Sequence, residues 1–363
     1  MLRFLTSQPY LIWIVLNEIK LGKTGLKVKT MGFGGIPIQR VSEEKAIEVV
    51  RRCYDLGLNY YDTARGYTTS EERIGKALEG VRDKVYIATK SNQRTADGIR
   101  KELAVSLGNL RTDHIDVYQL HNVTNQEQWE QVQAPGGALE AVTDAKEHGK
   151  INHMSVTSHN PDLAVEMVKT GLFETVLIPY NYLTTKPADE LLPTCKKLNV
   201  GTIIMKPFGG GAFSNANTAL KYVLGNPDCD LVIPGMMSVA EVEENISVWM
   251  GDHTLTGEER RLIERDKERL GDQFCRSCNY CQPCPQGIPI STILRTESQV
   301  LRRMGWSDRR VEAVKEAKEK LDTCIHCGEC ESRCPYNLPI QELLPRAMQS
   351  LWDRMESRSI PQP

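Results

Sequence analysis

The chain has 363 residues, with 45 Lys and Arg against 47 Asp and Glu for a net charge of −2. That length fits one large domain plus a small one, with a sizeable core. The balanced charge gives no reason to expect nucleic acid or an anionic membrane surface as partner and leaves a small molecule or another protein.

In chain order, residues 1–20 form an extension whose apolar run from Tyr10 to Leu16 is far shorter than the roughly 20 residues of a membrane span. With only Arg3 as a basic start and no Ala-x-Ala site it does not read as an export signal, so an added hairpin strand or an over-extended start is expected, and no membrane anchor. From residue 21 to 253, short β-branched or aromatic runs alternate with amphipathic helical stretches. The strands read 28–33, 59–62, 85–89, 115–120, 153–156, 175–178, 202–205 and 231–233. The helices read 42–56, 70–79, 96–110, 138–148, 161–169, 188–198, 217–224 and 239–248. The first begins at Ser42 with acidic residues behind it and stops at Gly57, a capped start and a glycine end. Eight βα pairs predict an α/β fold, a closed (β/α)8 TIM barrel. A charged helix over 254–271 then reads as a linker, 272–350 as a small α-helical domain, and 351–363 as a loose tail.

Eight of the 11 cysteines fall in that small domain, as Cys275-x2-Cys278-x2-Cys281-x2-Cys284-Pro and Cys324-x2-Cys327-x2-Cys330-x3-Cys334-Pro. Three thiolates at two-residue intervals wrap one cubic cluster, and the proline turns the chain so that the fourth cysteine reaches elsewhere. The spacing therefore predicts two [4Fe-4S] clusters and makes 272–350 a ferredoxin-like domain. Structural zinc needs only four ligands per site in pairs, so the third step of each array is surplus to it. A disulfide framework suits an exported chain better than this one. The first array has one residue fewer before its last cysteine, which departs from the ferredoxin spacing. Cys53, Cys195 and Cys229 stand alone and read as buried thiols of a reducing cytoplasm.

Chemistry in such a barrel belongs to the C-terminal ends of the strands. There the sequence places Asp62, Tyr67, Lys90 and His121. The motifs around them, Tyr-Asp-Thr-Ala-x-x-Tyr at 61–67, Ala-Thr-Lys at 88–90 and Asp-Val-Tyr-Gln-Leu-His at 116–121, resemble the aldo/keto reductases. Leu-Gly-Lys-Thr-Gly-Leu-Lys-Val at 21–28 and Gly-Phe-Gly-Gly at 32–35 are similar as well, and the cysteine-rich domain resembles the ferredoxin-fused branch of that family. The resemblance covers about residues 20–250. It implies that Tyr67 donates the proton to a carbonyl oxygen, that Lys90 lowers the phenol pKa from near 10, that Asp62 holds the ammonium, and that His121 orients the carbonyl or shares the proton. By analogy with two-cluster ferredoxins, it also implies swapped wiring: Cys275, Cys278 and Cys281 with Cys334, and Cys324, Cys327 and Cys330 with Cys284.

The cofactor positions depart from the family pattern. Where relatives clamp the nicotinamide amide with Ser-Asn and Gln and stack the ring on an aromatic, this chain has Thr157 and Ser158, Leu177 and Met205. Glu244 and Asn245 remain available for adenine. Gly235 and Glu241 stand where NADP-preferring relatives carry cations, which favours NAD(H) over NADP(H) by removing attraction for the 2′-phosphate and adding repulsion. Lys206 with Gly209 and Gly210 offers a candidate pyrophosphate cradle. The expected function is interconversion of a small carbonyl or alcohol by NAD(P)H-dependent hydride transfer, with clusters relaying electrons to or from a redox partner. Hydride carries two electrons and a cluster one, so direct coupling needs a switch such as a flavin, for which the sequence has no motif. The alternative is a non-catalytic electron-transfer or redox-sensing subunit with a nucleotide-responsive barrel.

Overall fold

A computed structural model describes residues 18–271, 273–276, 281–296, 301, 305–334 and 336–359. The run Tyr10 to Leu16 and Cys278 lie outside them. The described chain divides into two compact units, one ending at Leu255 and one beginning at Thr256, with Phe208–Asn215 grouped with the second.

The first unit opens with a hairpin, β1 (Glu18–Lys20) against β2 (Lys27–Lys29), in antiparallel register. Eight parallel strands follow, ordered as they occur in the chain: β3 (Phe33–Gly34), β4 (Tyr60–Asp62), β5 (Tyr86–Ser91), β6 (Ile115–Leu120), β7 (Ile151–Thr157), β8 (Thr175–Pro179), β9 (Gly201–Met205) and β10 (Leu231–Val232). The bond from Gly32 N to Val232 O at 2.9 Å and that from Gly34 N to Pro234 O at 2.9 Å join the last strand to the first and close the barrel. Closure satisfies both edges of the sheet, which an open eight-stranded ribbon would leave unpaired.

The expected first strand over 28–33 is two pieces. Its start pairs in the hairpin, while Met31 bridges Val232 and Phe33–Gly34 pairs with β4. Glycine is needed there because a Cβ on Gly34 would lie 2.7 Å from Ile233 O and one on Gly35 would lie 2.8 Å from Asp62 O.

The helices of this unit are α1 (Glu43–Asp55), α2 (Ser70–Ala77), α3 (Ala96–Asn109), α4 (Gln126–Gln133), α5 (Ala138–Glu147), α6 (Pro161–Lys169), α7 (Leu191–Leu198), α8 (Ala216–Leu224) and α9 (Val239–Trp249). Their starts are set by residues that satisfy orphan N–H groups: Ser42 accepts from Lys45 N, Thr95 from Gly98 N, Asn160 from Asp162 and Leu163 N, and Ser238 from Glu241 N. Helix α4 was not among the expected elements. Its Gln-rich sequence hides the two apolar residues, Trp129 and Val132, that it buries.

Inside the barrel, Tyr60, Ala88, Val117, Leu177, Ile203 and Leu231 form an apolar plug. Two residues on, along β4, β5 and β6, the same inward face carries Asp62, Lys90 and Gln119. Period-two alternation thus puts a polar layer directly above an apolar floor.

The second unit starts with α10 (Gly257–Leu270), whose Thr256 and Glu259 form a reciprocal capping box. It continues with α11 (Ile290–Arg295), α12 (Asp308–Asp322), α13 (Glu329–Ser332) and α14 (Ile340–Ser357). Its core joins Ile288, Ile290, Ile293, Val314, Leu344, Met348 and Leu351 to Cys275, Cys281 and Cys334. The tail expected from residue 351 is instead the end of α14: Leu351 is 1% exposed and Met355 is buried.

Candidate active site and candidate cluster sites

In the first unit the polar layer is a connected network. Lys90 Nζ donates to Asp62 Oδ1 at 2.5 Å and to Thr63 O at 2.7 Å, and Gln119 Nε2 donates to Asp62 Oδ2 at 2.6 Å. Asp62 is 3% and Lys90 1% exposed, so the pair interacts at low dielectric and each charge depends on the other. Burial raises the pKa of Asp62, with Lys90 and Gln119 pulling the other way.

The Lys90 ammonium lies 5.1 Å from the centroid of the Tyr67 ring, and the Tyr67 and His121 rings meet edge to face at 6.0 Å. The structure thus brings together all four residues singled out at the strand ends. Burial, then the Lys90 and Arg94 charges, depress the pKa of His121 to about 3, which leaves a neutral imidazole at physiological pH.

The loop bearing Tyr67 is held from both ends. Arg65 N donates to Lys90 O at 2.9 Å, and Ser70 N to Tyr67 O at 2.8 Å. At its exit stands Glu71, fully buried, which accepts from Thr89 Oγ1 and Ser106 Oγ at 2.7 Å each and from Asn109 Nδ2 at 3.1 Å, and pairs with Arg65. Thr89 adjoins Lys90 in β5, so one carboxylate ties the Tyr67 loop to the Lys90 strand.

Sequence reasoning missed Glu71, Gln119 and Arg94. An acidic residue in a helix's first turn reads as a solvated cap, which hid Glu71. Gln119 carried a usable signal: it stands on β6 two residues before His121, which directly follows the strand's end. Arg94, whose Nη2 donates to the carbonyls of His121 and Asn122 at 2.9 and 3.0 Å, carried none. His159 was also missed; its pKa lies well below the usual value through burial, then the charges of Lys206 and His121.

The expected cofactor residues are partly engaged by their own backbone. Thr157 Oγ1 accepts from Asn122 N at 2.7 Å, and Ser158 Oγ closes a tight turn with the Asn160 backbone at 3.0 and 3.1 Å. Leu177 is 1% exposed in the barrel plug. Lys206 takes a left-handed φ of 58°, its carbonyl accepting from Asn181 Nδ2 at 3.0 Å. Gly209 and Gly210 belong to the segment grouped with the second unit; there a Cβ on Gly209 would strike the Phe213 ring at 2.6 Å, and Gly209 O accepts from Arg295 at 3.4 Å. Gly235 lies so close to Pro37 that a Cβ would meet its Cγ at 2.6 Å. Glu241 accepts from Met237 N at 2.7 Å; Glu244 is exposed and Asn245 buried on α9.

In the second unit two cavities are walled by thiols. One is lined by Cys324, Cys327 and Cys330 with Cys284 and Cys281, and the other by Cys275, Cys281 and Cys334. Cys284 thus lies on one wall with the second array and Cys334 on one wall with the first, Cys281 lining both cavities. Arg333 Nη1 donates to Pro283 O at 3.0 Å, and Gln282 Oε1 accepts from Cys284 N at 2.9 Å; these contacts hold the shorter first array in place. Soft thiol donors in an apolar setting, lined by Ile288, Ile290 and Leu338, fit iron-sulfur clusters.

Comparison with known proteins agrees with both units. The profile of a 4Fe-4S dicluster domain matches residues 274–339, so the second unit is an iron-sulfur domain. The chain is 27% identical over 277 residues to L-galactose dehydrogenase of Arabidopsis thaliana, covering 62% of this chain and 86% of that one. It is 24% identical over 302 residues to an uncharacterized oxidoreductase of Bacillus subtilis, covering 69% and 96%. Among solved structures, the holo form of an aldo-keto reductase from Bacillus halodurans superposes with a TM-score of 0.61 at 26% identity, covering 69% of this chain and 96% of that one. An aldo/keto reductase from Klebsiella pneumoniae, solved in complex with NADP and acetate, gives 0.59 at 22% identity, covering 69% and 94%. Because the aldo/keto reductase profile matches residues 30–219 of 363, more than half of the chain and all of the strands that carry the buried ion pair, the protein is an oxidoreductase that belongs to the aldo/keto reductase family.

Proposed function

We propose that the barrel interconverts a small carbonyl compound and its alcohol with a nicotinamide cofactor, and that the iron-sulfur domain relays electrons to or from a redox partner. The observation that carries this reading is the convergence of Asp62, Lys90, Tyr67 and His121 at the C-terminal ends of β4, β5 and β6.

Bound nicotinamide supplies the hydride. Tyr67 then gives its hydroxyl proton to the oxygen as negative charge develops there. The Lys90 ammonium favours the phenolate that remains, and Asp62, fixed by Gln119, keeps that ammonium in position. His121, neutral, orients the oxygen without competing as an acid. Cys275, Cys278, Cys281 and Cys334 would hold one cluster and Cys284, Cys324, Cys327 and Cys330 the other; the clusters supply one-electron steps.

NAD(H) is preferred over NADP(H) on this reading, because the Glu241 carboxylate stands at the start of α9 where a 2′-phosphate would need a cation. Asn245 and Glu244 are proposed for the adenine end. The Klebsiella pneumoniae structure holds NADP, so the preference rests on this chain's own residues. A second reading, a redox-sensing or electron-transfer subunit with a nucleotide-responsive barrel, draws support from Leu177, a buried apolar residue where relatives hold the nicotinamide amide.

Turnover of an aldehyde panel with NADH and NADPH, in the wild type and in Tyr67→Phe, tests the choice. Carbonyl reduction that Tyr67→Phe abolishes is the expected result. No turnover by the wild type with any aldehyde, beside intact clusters, would favour the second reading.

A further inference from the structure

Within the second unit a pocket of about 330 Å3 opens between α12 and α14, a size in the range of small-molecule sites. Its apolar walls are Leu321, Leu344, Met348 and the indole of Trp352, and Cys324 forms part of its lining. The indole is oriented by its Nε1–H bond to Glu356 Oε1 at 2.9 Å, and the Lys318 ammonium lies 5.8 Å from its ring centroid, held by Asp322 at 3.0 Å. His326, on the same loop as Cys324, also faces the pocket, with its Nδ1 3.2 Å from Gln341 Oε1.

We propose that this pocket binds a planar aromatic two-electron carrier, a quinone or an isoalloxazine ring. Three features select that class. The flat indole and the Met348 thioether suit a conjugated ring. Lys318 and Gln341 offer N–H donors for ring carbonyls at the rim. Cys324, a ligand of the second cluster on the function proposed above, puts an occupant in contact with the electron relay, where a carrier that accepts electrons singly and holds them in pairs would collect what the clusters deliver one at a time.

The inference rests on that relay reading. The step belongs to the cluster side alone: two reduced clusters + quinone + 2 H⁺ give two oxidised clusters + hydroquinone, one electron leaving each reduced cluster and both protons coming from water, with the electron relay as the source of the reduced clusters.

The test uses the full chain with both clusters reconstituted. Menadione and flavin mononucleotide are titrated by equilibrium dialysis, and the dithionite-reduced clusters are then mixed with each under anaerobic conditions while their visible absorption is followed. Saturable binding of at least one carrier, weakened about tenfold or more in Trp352→Ala, and slower cluster re-oxidation by that carrier in the variant are expected. Re-oxidation by ferricyanide, which needs no pocket, should be equal in the two proteins and guards against a misfolded variant. Which carrier binds tells a quinone site from a flavin site. Equal affinity in wild type and Trp352→Ala, or no binding of either carrier up to about 1 mM, would overturn the proposal. Because dithionite bypasses the barrel, failure of the relay reading shows separately, as clusters that NADH and an aldehyde or alcohol substrate never reduce or oxidise.

Discussion

Replacing Glu71 by Gln keeps the size of a fully buried side chain and removes its charge. Four donors converge on the carboxylate: Thr89, Ser106, Asn109 and Arg65. An amide has one acceptor oxygen, so Thr89 and Ser106 can stay satisfied, while its NH2 must face Asn109 Nδ2 and Arg65, donor against donor. Breaking a buried ion pair costs about 3–5 kcal/mol; Arg65 has a side chain 25% exposed and can regain water, which places the loss near the lower end, about 3 kcal/mol. For a barrel of this size each kcal/mol moves Tm by about 2–4 °C, so a fall on the order of 10 °C follows. Because Arg65 N–H also bonds Lys90 O, the Tyr67 loop should loosen, and kcat should fall more than KM rises. The assay is thermal unfolding followed by near-UV circular dichroism, with steady-state kinetics at a temperature where the variant is folded. A Tm within about 2 °C of wild type would refute the account, since it would mean that the four donors find partners without the carboxylate.

Lys90→Met should lower carbonyl reduction on the order of a hundredfold or more, because the phenol loses the charge that favours its ionised form; an unaltered pH–rate profile would count against Lys90 in that role. His121 should show no NMR titration between about pH 5 and 8, since its pKa lies near 3. The same depression makes stability pH-dependent. Between the unfolded value of about 6.5 and the folded value of about 3 only the unfolded chain binds this proton, so stability falls as pH drops through that window; His121→Phe should flatten the dependence in acid melts. Cys334→Ala should damage the cluster of Cys275, Cys278 and Cys281 and spare that of Cys324, Cys327 and Cys330, with Cys284→Ala doing the reverse, as read by iron content and electron paramagnetic resonance. Loss of each variant's own array would show independent four-ligand sites.

Local pattern determined much of this molecule. Eight alternations of strand and helix dictate a closed parallel barrel, because each helix must cover one strand pair and the ring leaves no free edge. The caps Ser42, Asn160 and Ser238 are local chemistry, legible at once. So were the cysteine arrays and the four strand-end residues, since ligand spacing and strand ends are properties of short segments. Tertiary structure decided the rest. It split the first expected strand, because its start pairs with the opening hairpin while Met31 and Phe33–Gly34 pair with the last and second strands of the barrel. It carried the last helix through Leu351 and Met355, because their burial against the small core outweighs the polar residues around them. It also made Glu71 a buried hub and Leu177 part of the barrel plug. Neither is visible in one dimension, where a first-turn acid reads as a solvated cap and a leucine reads the same whether it fills a core or lines a cofactor site. Long-range packing sets which polar groups lose water, and that loss, not residue type, fixes which of them hold the site together.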